Sequence, residues 1–118
     1  MRLNEIRFDD GLPVEGYGPG FFRVGGQVQQ GNLLLLPGQP VQVWGGFSDR
    51  DAIIGAAGRL DVLFLGTGAE IAYPDDAFVA ALEAAGVGVE PMASPTACRT
   101  YNILLSEGRH VGLAAICL

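Results

Sequence analysis

Residues able to do chemistry are sparse in this sequence, and they gather in two places. The first is Gly66-Thr67-Gly68, which closes the apolar run at 62–65 and is followed by a helical pattern. Glycines at such a turn let an anion approach the backbone, and a helix N-terminus attracts one, so the pattern invites a nucleotide-phosphate reading. Glu90, at the end of the next short apolar run, stands where a ribose-binding acid would be sought. The details oppose it. The third glycine of G-x-G-x-x-G would fall at Ile71, the helix is expected to begin late, with Pro74 in its first position, and Asp75 and Asp76 in its first turn would repel phosphate. A structural turn at the carboxyl end of a strand fits Gly66 and Gly68 better. Thr67 then either satisfies its own turn or offers a ligand one hydrogen bond.

The second place is the segment 94–109. Cys98, near a helix start and beside Arg99, has the setting that lowers a thiol pKa. A cysteine nucleophile needs a base, and the only histidine, His110, lies beyond the helix, so Cys98 reads as a small buried hydrophobe. One histidine and two distant cysteines, Cys98 and Cys117, cannot assemble a closed zinc site. No catalytic set, metal or cofactor is expected. The acidic pairs Asp9-Asp10 and Asp75-Asp76 have turn and helix-start explanations, because adjacent residues do not face each other on a helix. With about 3.6 residues per turn, Arg99, Asn102 and Ser106 share one flank, and Ala97, Tyr101, Leu104 and Leu105 the apolar face. An asparagine among such neighbours must find partners if it is buried. Glu107 and Arg109 flank Gly108 and can pair with each other or with the helix end. The segment is thus either a polar network fixing helix to sheet, or one wall of a cleft that also takes in Thr67.

The elements that must position these residues follow from composition and punctuation. At 118 residues, 49% hydrophobic and 17% charged, the chain is expected to fold as one globular domain over 1–118. A net charge of −6 leaves no phosphate-neutralising surface, which excludes nucleic acid and anionic membranes as partners. The longest apolar runs, 33–37 and 113–118, fall far short of the roughly 20 residues that span a bilayer. No signal peptide is evident at the N-terminus, and the cysteines suggest no disulfide framework, so a reducing cytoplasm is expected.

Residues 3–8 read as an opening strand, and the glycines at 16, 18 and 20 as a surface loop. Strands are expected at 21–24 and, after a Gly25-Gly26 hairpin turn, at 27–36, with 33–36 its most buried part. Another strand is expected at 41–44. A short helix follows, capped by Ser48, with Ile53 and Ile54 inward and Gly58 at its end. An interior strand over 61–65, a helix from Pro74 to Gly86, a strand at 87–90, a helix with Ser94 as cap and Pro95 in its first turn, and a final strand over 109–117 complete the order. A mixed β-sheet with packed helices results, its N-terminal half rich in hairpins.

The run Ser94-Pro95-Thr96-Ala97-Cys98-Arg99-Thr100-Tyr101-Asn102-Ile103-Leu104, followed by Glu107-Gly108-Arg109, closely resembles the Mth-type domain-of-unknown-function family. Leu65-Gly66-Thr67-Gly68 resembles that family's strand-turn motif, and residues 86–90 its glycine-led strand. The resemblance implies a three-layer α/β fold. By position it marks Gly66, Thr67, Gly68, Thr100, Asn102, Glu107 and Arg109 as shared, with Ser94 in place of an expected threonine that keeps the hydroxyl. Since a mitochondrial member assists assembly of respiratory complex I, the resemblance also implies a non-catalytic binding or assembly module. Its partner would be a protein, including assembly intermediates of a membrane complex.

The rival expectation is a small-molecule-binding protein or minor enzyme, with Thr67, Arg99, Asn102 and Glu107 lining a cleft and Arg99 pairing with an anionic group. The apolar segment 112–118 would be either a sheet edge open to self-association or an interior strand, so a monomer or weak homodimer is expected.

Overall fold

A computed structural model describes residues 11–118, so the expected strand at 3–8 and the Asp9-Asp10 pair lie outside the described residues. Strands β1 (Val14–Gly18), β2 (Phe21–Val24) and β3 (Gln27–Gln30) form an antiparallel sheet in that order. A second sheet runs β5-β4-β8-β6-β7, built from β4 (Leu33–Leu35), β5 (Gln42–Val43), β6 (Val62–Gly66), β7 (Gly88–Met92) and β8 (Val111–Ala115). Strands β7, β6 and β8 are parallel, while β4 runs antiparallel to β8 and β5 to β4. The helices are α1 (Asp51–Gly55), α2 (Asp76–Ala84) and α3 (Ser94–Ser106), with a 3-10 turn at Ala57–Arg59.

The period of two along a strand sorts the core into two faces. Phe64 of β6, Leu33 and Leu35 of β4, and Val111, Leu113 and Ala115 of β8 pack with Ala97, Cys98, Tyr101 and Leu105 of α3 and with Val14, Phe22 and Val24 of the small sheet. Leu63, Leu65, Leu34 and Ala114 point the other way, onto Ile53 of α1 and Phe78 and Leu82 of α2. The crossover β6-α2-β7 steps outward to the edge, and β7-α3-β8 steps back past β6. Two connections of one hand that step in opposite directions must lay their helices on opposite faces. The result is the three-layer α/β arrangement, with β6 (Val62–Gly66) the expected interior strand and Asp61, just before it, exposed. Trp44, Phe47 and Phe78 close the second face, with ring centroids 5.3 to 5.8 Å apart.

Gly25 and Gly26 have φ of +61° and +77°, the paired positive values that a two-residue turn between right-twisted strands requires. Elsewhere the expected elements shift. The glycines at 16 and 18, read as loop, lie in β1, which pairs with β2 through a bulge between Val14 and Gly16. A strand that glycines weaken is held instead by α3, as described below. The expected strand 27–36 is two strands in different sheets, because the chain turns at Gly31, with φ of +85°. Asn32 anchors that turn: its carbonyl accepts from Trp44 N and its Oδ1 from Cys117 N.

Ser48 does not cap α1. That approach is fixed by Asp49, whose carboxylate accepts from Gly45 N while its carbonyl accepts from Trp44 Nε1. Ile53 is buried, whereas Ile54, one residue on, faces outward. Pro74 precedes α2 rather than opening it, and Asp75 is the cap, its Oδ2 accepting from Phe78 N at 3.0 Å.

Candidate functional site

The two chemistry-bearing segments meet where β6 ends and α3 begins. Gly66 is the last residue of β6, wedged against the first turn of α3: a Cβ there would sit 2.9 Å from Ser94 Cα and 3.0 Å from Ala115 Cβ. Only glycine lets strand and helix come this close. Ser94 is 1% exposed, and it is not the cap of α3; it is the first residue of the helix, after Ala93. Its Oγ accepts from Gly68 N at 2.9 Å and donates to Ile116 O at 2.6 Å, and its own N donates to Gly68 O at 2.7 Å. One hydroxyl thus ties the loop after β6 to the end of β8.

Thr67 folds back into its own turn. Its Oγ1 lies 2.8 Å from Glu70 O and 3.1 Å from Met92 O, and accepts from Ala72 N at 3.0 Å. The phosphate reading fails on the same geometry. The carbonyl of Gly68 receives the Ser94 amide at the positive end of α3, and the Asp75 carboxylate occupies that of α2. The chain has filled both anion positions with its own oxygens.

A second set sits further along α3, facing β1. Asn102 Nδ2 donates to Val14 O and its Oδ1 accepts from Val14 N, both at 2.8 Å across 88 positions of chain. The carboxamide reproduces the two-bond exchange of a neighbouring strand. Tyr101 Oη donates to Leu12 O at 3.0 Å. Burial pushes the Tyr101 phenol up. Burial also pushes the Cys98 thiol up to about 12, and Arg99 beside it offsets only part of this. That is the wrong direction for a nucleophile, in accord with Cys98 as a core residue.

The eight candidate residues do not converge. Arg99 and Asn102 share an open groove of about 280 Å³ with Val14, Glu15, Gly16, Tyr17 and Cys98, where Arg99 also donates to Thr96 Oγ1 at 3.3 Å. Thr100 is half-buried on the same helix. Gly66, Thr67 and Gly68 belong to the β6 end, while Glu107 and Arg109 are exposed beyond the far end of α3, a helix of 13 residues and so about 20 Å long.

Sequence reasoning passed over the loop between Thr67 and α2. Ile71 is 69% exposed and Tyr73 fully exposed, and with Ala72, Pro74 and Pro91 of β7 they line a groove of about 320 Å³. The available signal was an aliphatic and an aromatic residue inside a turn segment, where polar residues are the rule.

A family model described as "Protein of unknown function (DUF498/DUF598)" matches residues 14–116. The chain belongs to the DUF498/DUF598 family. It is 46% identical over 116 residues to an uncharacterised protein of Rhodobacter capsulatus, covering 98% of this chain and 93% of that one. It is 28% identical over 123 residues to the rat NADH dehydrogenase (ubiquinone) 1 alpha subcomplex assembly factor 3, covering 98% of this chain but only 66% of that protein.

Among solved structures, a Bordetella pertussis protein described as a Mth938-like domain superposes with a TM-score of 0.75 at 27% identity, covering 98% of this chain and 90% of that one. The resemblance to the Mth-type family therefore holds, and with it the fold. The DUF498/DUF598 match begins at Val14, which Asn102 clamps, and ends at Ile116, which Ser94 holds. Among the described residues, no helix is long and apolar enough to cross a membrane.

Proposed function

We propose that this chain, as one domain over 1–118, is a non-catalytic binding module that assists assembly of a protein complex. One observation carries the reading. The hydroxyls of Thr67 and Ser94 and the carboxamide of Asn102 bond the protein's own backbone, while the loop after Thr67 turns Ile71 and Tyr73 outward. Groups engaged in this way hold a shape. They are not poised to bind or transform a small molecule, whereas exposed apolar side chains are what a protein partner buries.

The relationship to the assembly factor supports this at 28% identity, over about two thirds of that protein's length. In this reading Gly66, Thr67, Gly68 and Asn102 act by fixing the surface, and Arg99, Thr100, Glu107 and Arg109 are candidate partner contacts on and beyond α3. The partner is a protein, such as an intermediate of a membrane complex under assembly. The module itself works in the cytoplasm, where its free Cys98 and Cys117 stay reduced. It acts as a monomer or weak homodimer; β8 lies between β4 and β6, so the C-terminal strand is no open edge.

The test is a chromosomal affinity tag at native expression, read by native electrophoresis and mass spectrometry of co-migrating proteins. Migration with a subset of the subunits of one complex, and loss of that mature complex in a deletion strain, is the expected result. A tagged chain running only at its own mass, with complexes unchanged on deletion, overturns the proposal.

A further inference from the structure

Tyr73 and Pro74 belong to two adjoining grooves. The apolar one, already described, ends on Pro91 of the edge strand β7. The other, about 600 Å³, runs along α2 between Tyr73, Asp76, Val79, Ala80 and Glu83. The charge around them is one-sided. Residues 67–92 carry five carboxylates, those of Glu70, Asp75, Asp76, Glu83 and Glu90, and no lysine or arginine. Arg50 brings one positive charge toward α2, donating to Ala77 O at 2.8 Å, but it lines neither groove, and the five carboxylates outnumber it.

Resting on the assembly reading above, we propose that this double groove is the docking surface, and that its occupant is a basic segment of a partner protein with an apolar anchor. The anchor lies against Ile71, Tyr73, Pro74 and Pro91, and the segment's lysines or arginines lie along Asp76 and Glu83. Charge decides between occupants. A second copy joined through this face would bring Asp76 and Glu83 of each chain together, an isologous contact that repels itself. An anionic lipid surface is repelled in the same way. A basic segment gains at both grooves: apolar area removed from water at one, and attraction across a partly desolvated rim at the other.

The experiment places the photocrosslinking amino acid p-benzoylphenylalanine at Tyr73 or, as a comparison, at Ile103 on α3, which is 58% exposed. Both full-length proteins are expressed at native level and irradiated in cells. Crosslinks from position 73 to a segment in which Lys and Arg outnumber Asp and Glu are expected. A synthetic peptide of that segment should bind the unmodified protein, at least about tenfold more weakly after Tyr73→Ala. It should also bind more weakly after Asp76→Asn with Glu83→Lys, and in higher salt.

The substituted side chains are exposed, and circular dichroism establishes that each variant is folded. Crosslinks from position 73 to an acidic or neutral segment, to a second copy or to lipid overturn the proposal. So does a yield no greater than that from position 103. If position 103 captures a complex subunit and 73 does not, the docking surface falls and the assembly reading stands. If neither does and the tagged chain runs alone, both fall.

Discussion

Replacing Ser94 by alanine removes one oxygen and leaves two backbone groups without partners, the amide of buried Gly68 and the carbonyl of Ile116. A buried donor or acceptor stranded in this way costs about 1–3 kcal/mol, so Ser94→Ala should lose about 2–4 kcal/mol, part of it recovered where Ile116 is reached by water. Unfolding entropy scales with length, and for a chain of 118 residues each kcal/mol corresponds to about 4 °C in Tm. The expected fall is therefore about 8–16 °C by circular dichroism, a large share of a small domain's stability. Ser106→Ala is the control, since its exposed hydroxyl donates to Ile103 O within the same helix and should shift Tm by no more than about 2 °C. Ser94→Thr keeps the hydroxyl and should restore at least half the loss. Hydrogen exchange gives a local reading: the Gly68 amide should lose protection in Ser94→Ala while the amides of β4 keep theirs. Equal Tm shifts for the two alanine variants, or an unchanged Gly68 amide, would refute the idea that this hydroxyl holds the loop.

Asn102→Ala should cost about 1–3 kcal/mol in urea unfolding and raise exchange at the Val14 amide, with Asn102→Asp no better, because a carboxylate cannot donate to Val14 O. Gly66→Ala must push a methyl group against Ser94 Cα and should destabilise by about 1–3 kcal/mol, whereas Gly16→Ala, which meets no atom, should be nearly neutral in the same melt. For pH, the thiol of Cys98 stays protonated in the folded state up to about 12 but ionises near 9.0 when unfolded. The unfolded state thus sheds its proton first, and stability should fall as pH rises from 9.0 toward 12. Tyr101, whose phenol burial raises from 10.0, adds to the upper part of that limb, so Cys98→Ala should flatten it mainly between 9.0 and 10.0; iodoacetamide at neutral pH should leave Cys98 of the native protein unmodified, and rapid alkylation would contradict its burial.

Legibility followed the range of the interactions. The apolar runs at 62–65 and in the C-terminal segment are local, and so is the pairing of Phe78 with Leu82, so the interior strands β6 and β8 and helix α2 could be read directly, while 33–36 read as buried but not as a strand apart from 27–30. Gly25-Gly26 was equally plain, because its turn demands positive φ at both residues. What escaped was decided at a distance. β1 looked like loop because glycines weaken it, and the compensation comes from Asn102, 88 positions away. Ser94 looked like a cap because serine before proline usually is one; its partner, Ile116, lies 22 positions off and nothing near Ser94 points to it. The same limit explains the candidate site. Helical periodicity placed Arg99 and Asn102 on one flank of α3, as they are, and turn chemistry offered the bond of Thr67 to its own loop, but neither showed that Glu107 and Arg109 lie past the far end of the helix, away from Thr67.

The carboxyl ends of β6, β7 and β8 point the same way, and that edge of a parallel sheet is where α/β proteins commonly hold small anions. Here the Gly68 carbonyl and the Asp75 carboxylate take the positive helix ends, and Ser94 draws the loop and the end of β8 inward. Both helix ends are thus engaged from within, and residues 67–92 add five carboxylates and no lysine or arginine. The loop cannot bury Ile71 and Tyr73 beneath itself, because Thr67 holds both Glu70 O and Ala72 N, and Pro74 stiffens the approach to α2. The bonds of Gly68 and Asp75 fill the anion positions, and the adjoining bonds of Thr67 hold the apolar side chains out. A substitution that loosens Ser94 should then weaken partner capture at Tyr73 even though Ser94, at 1% exposure, is itself too deeply buried to be touched.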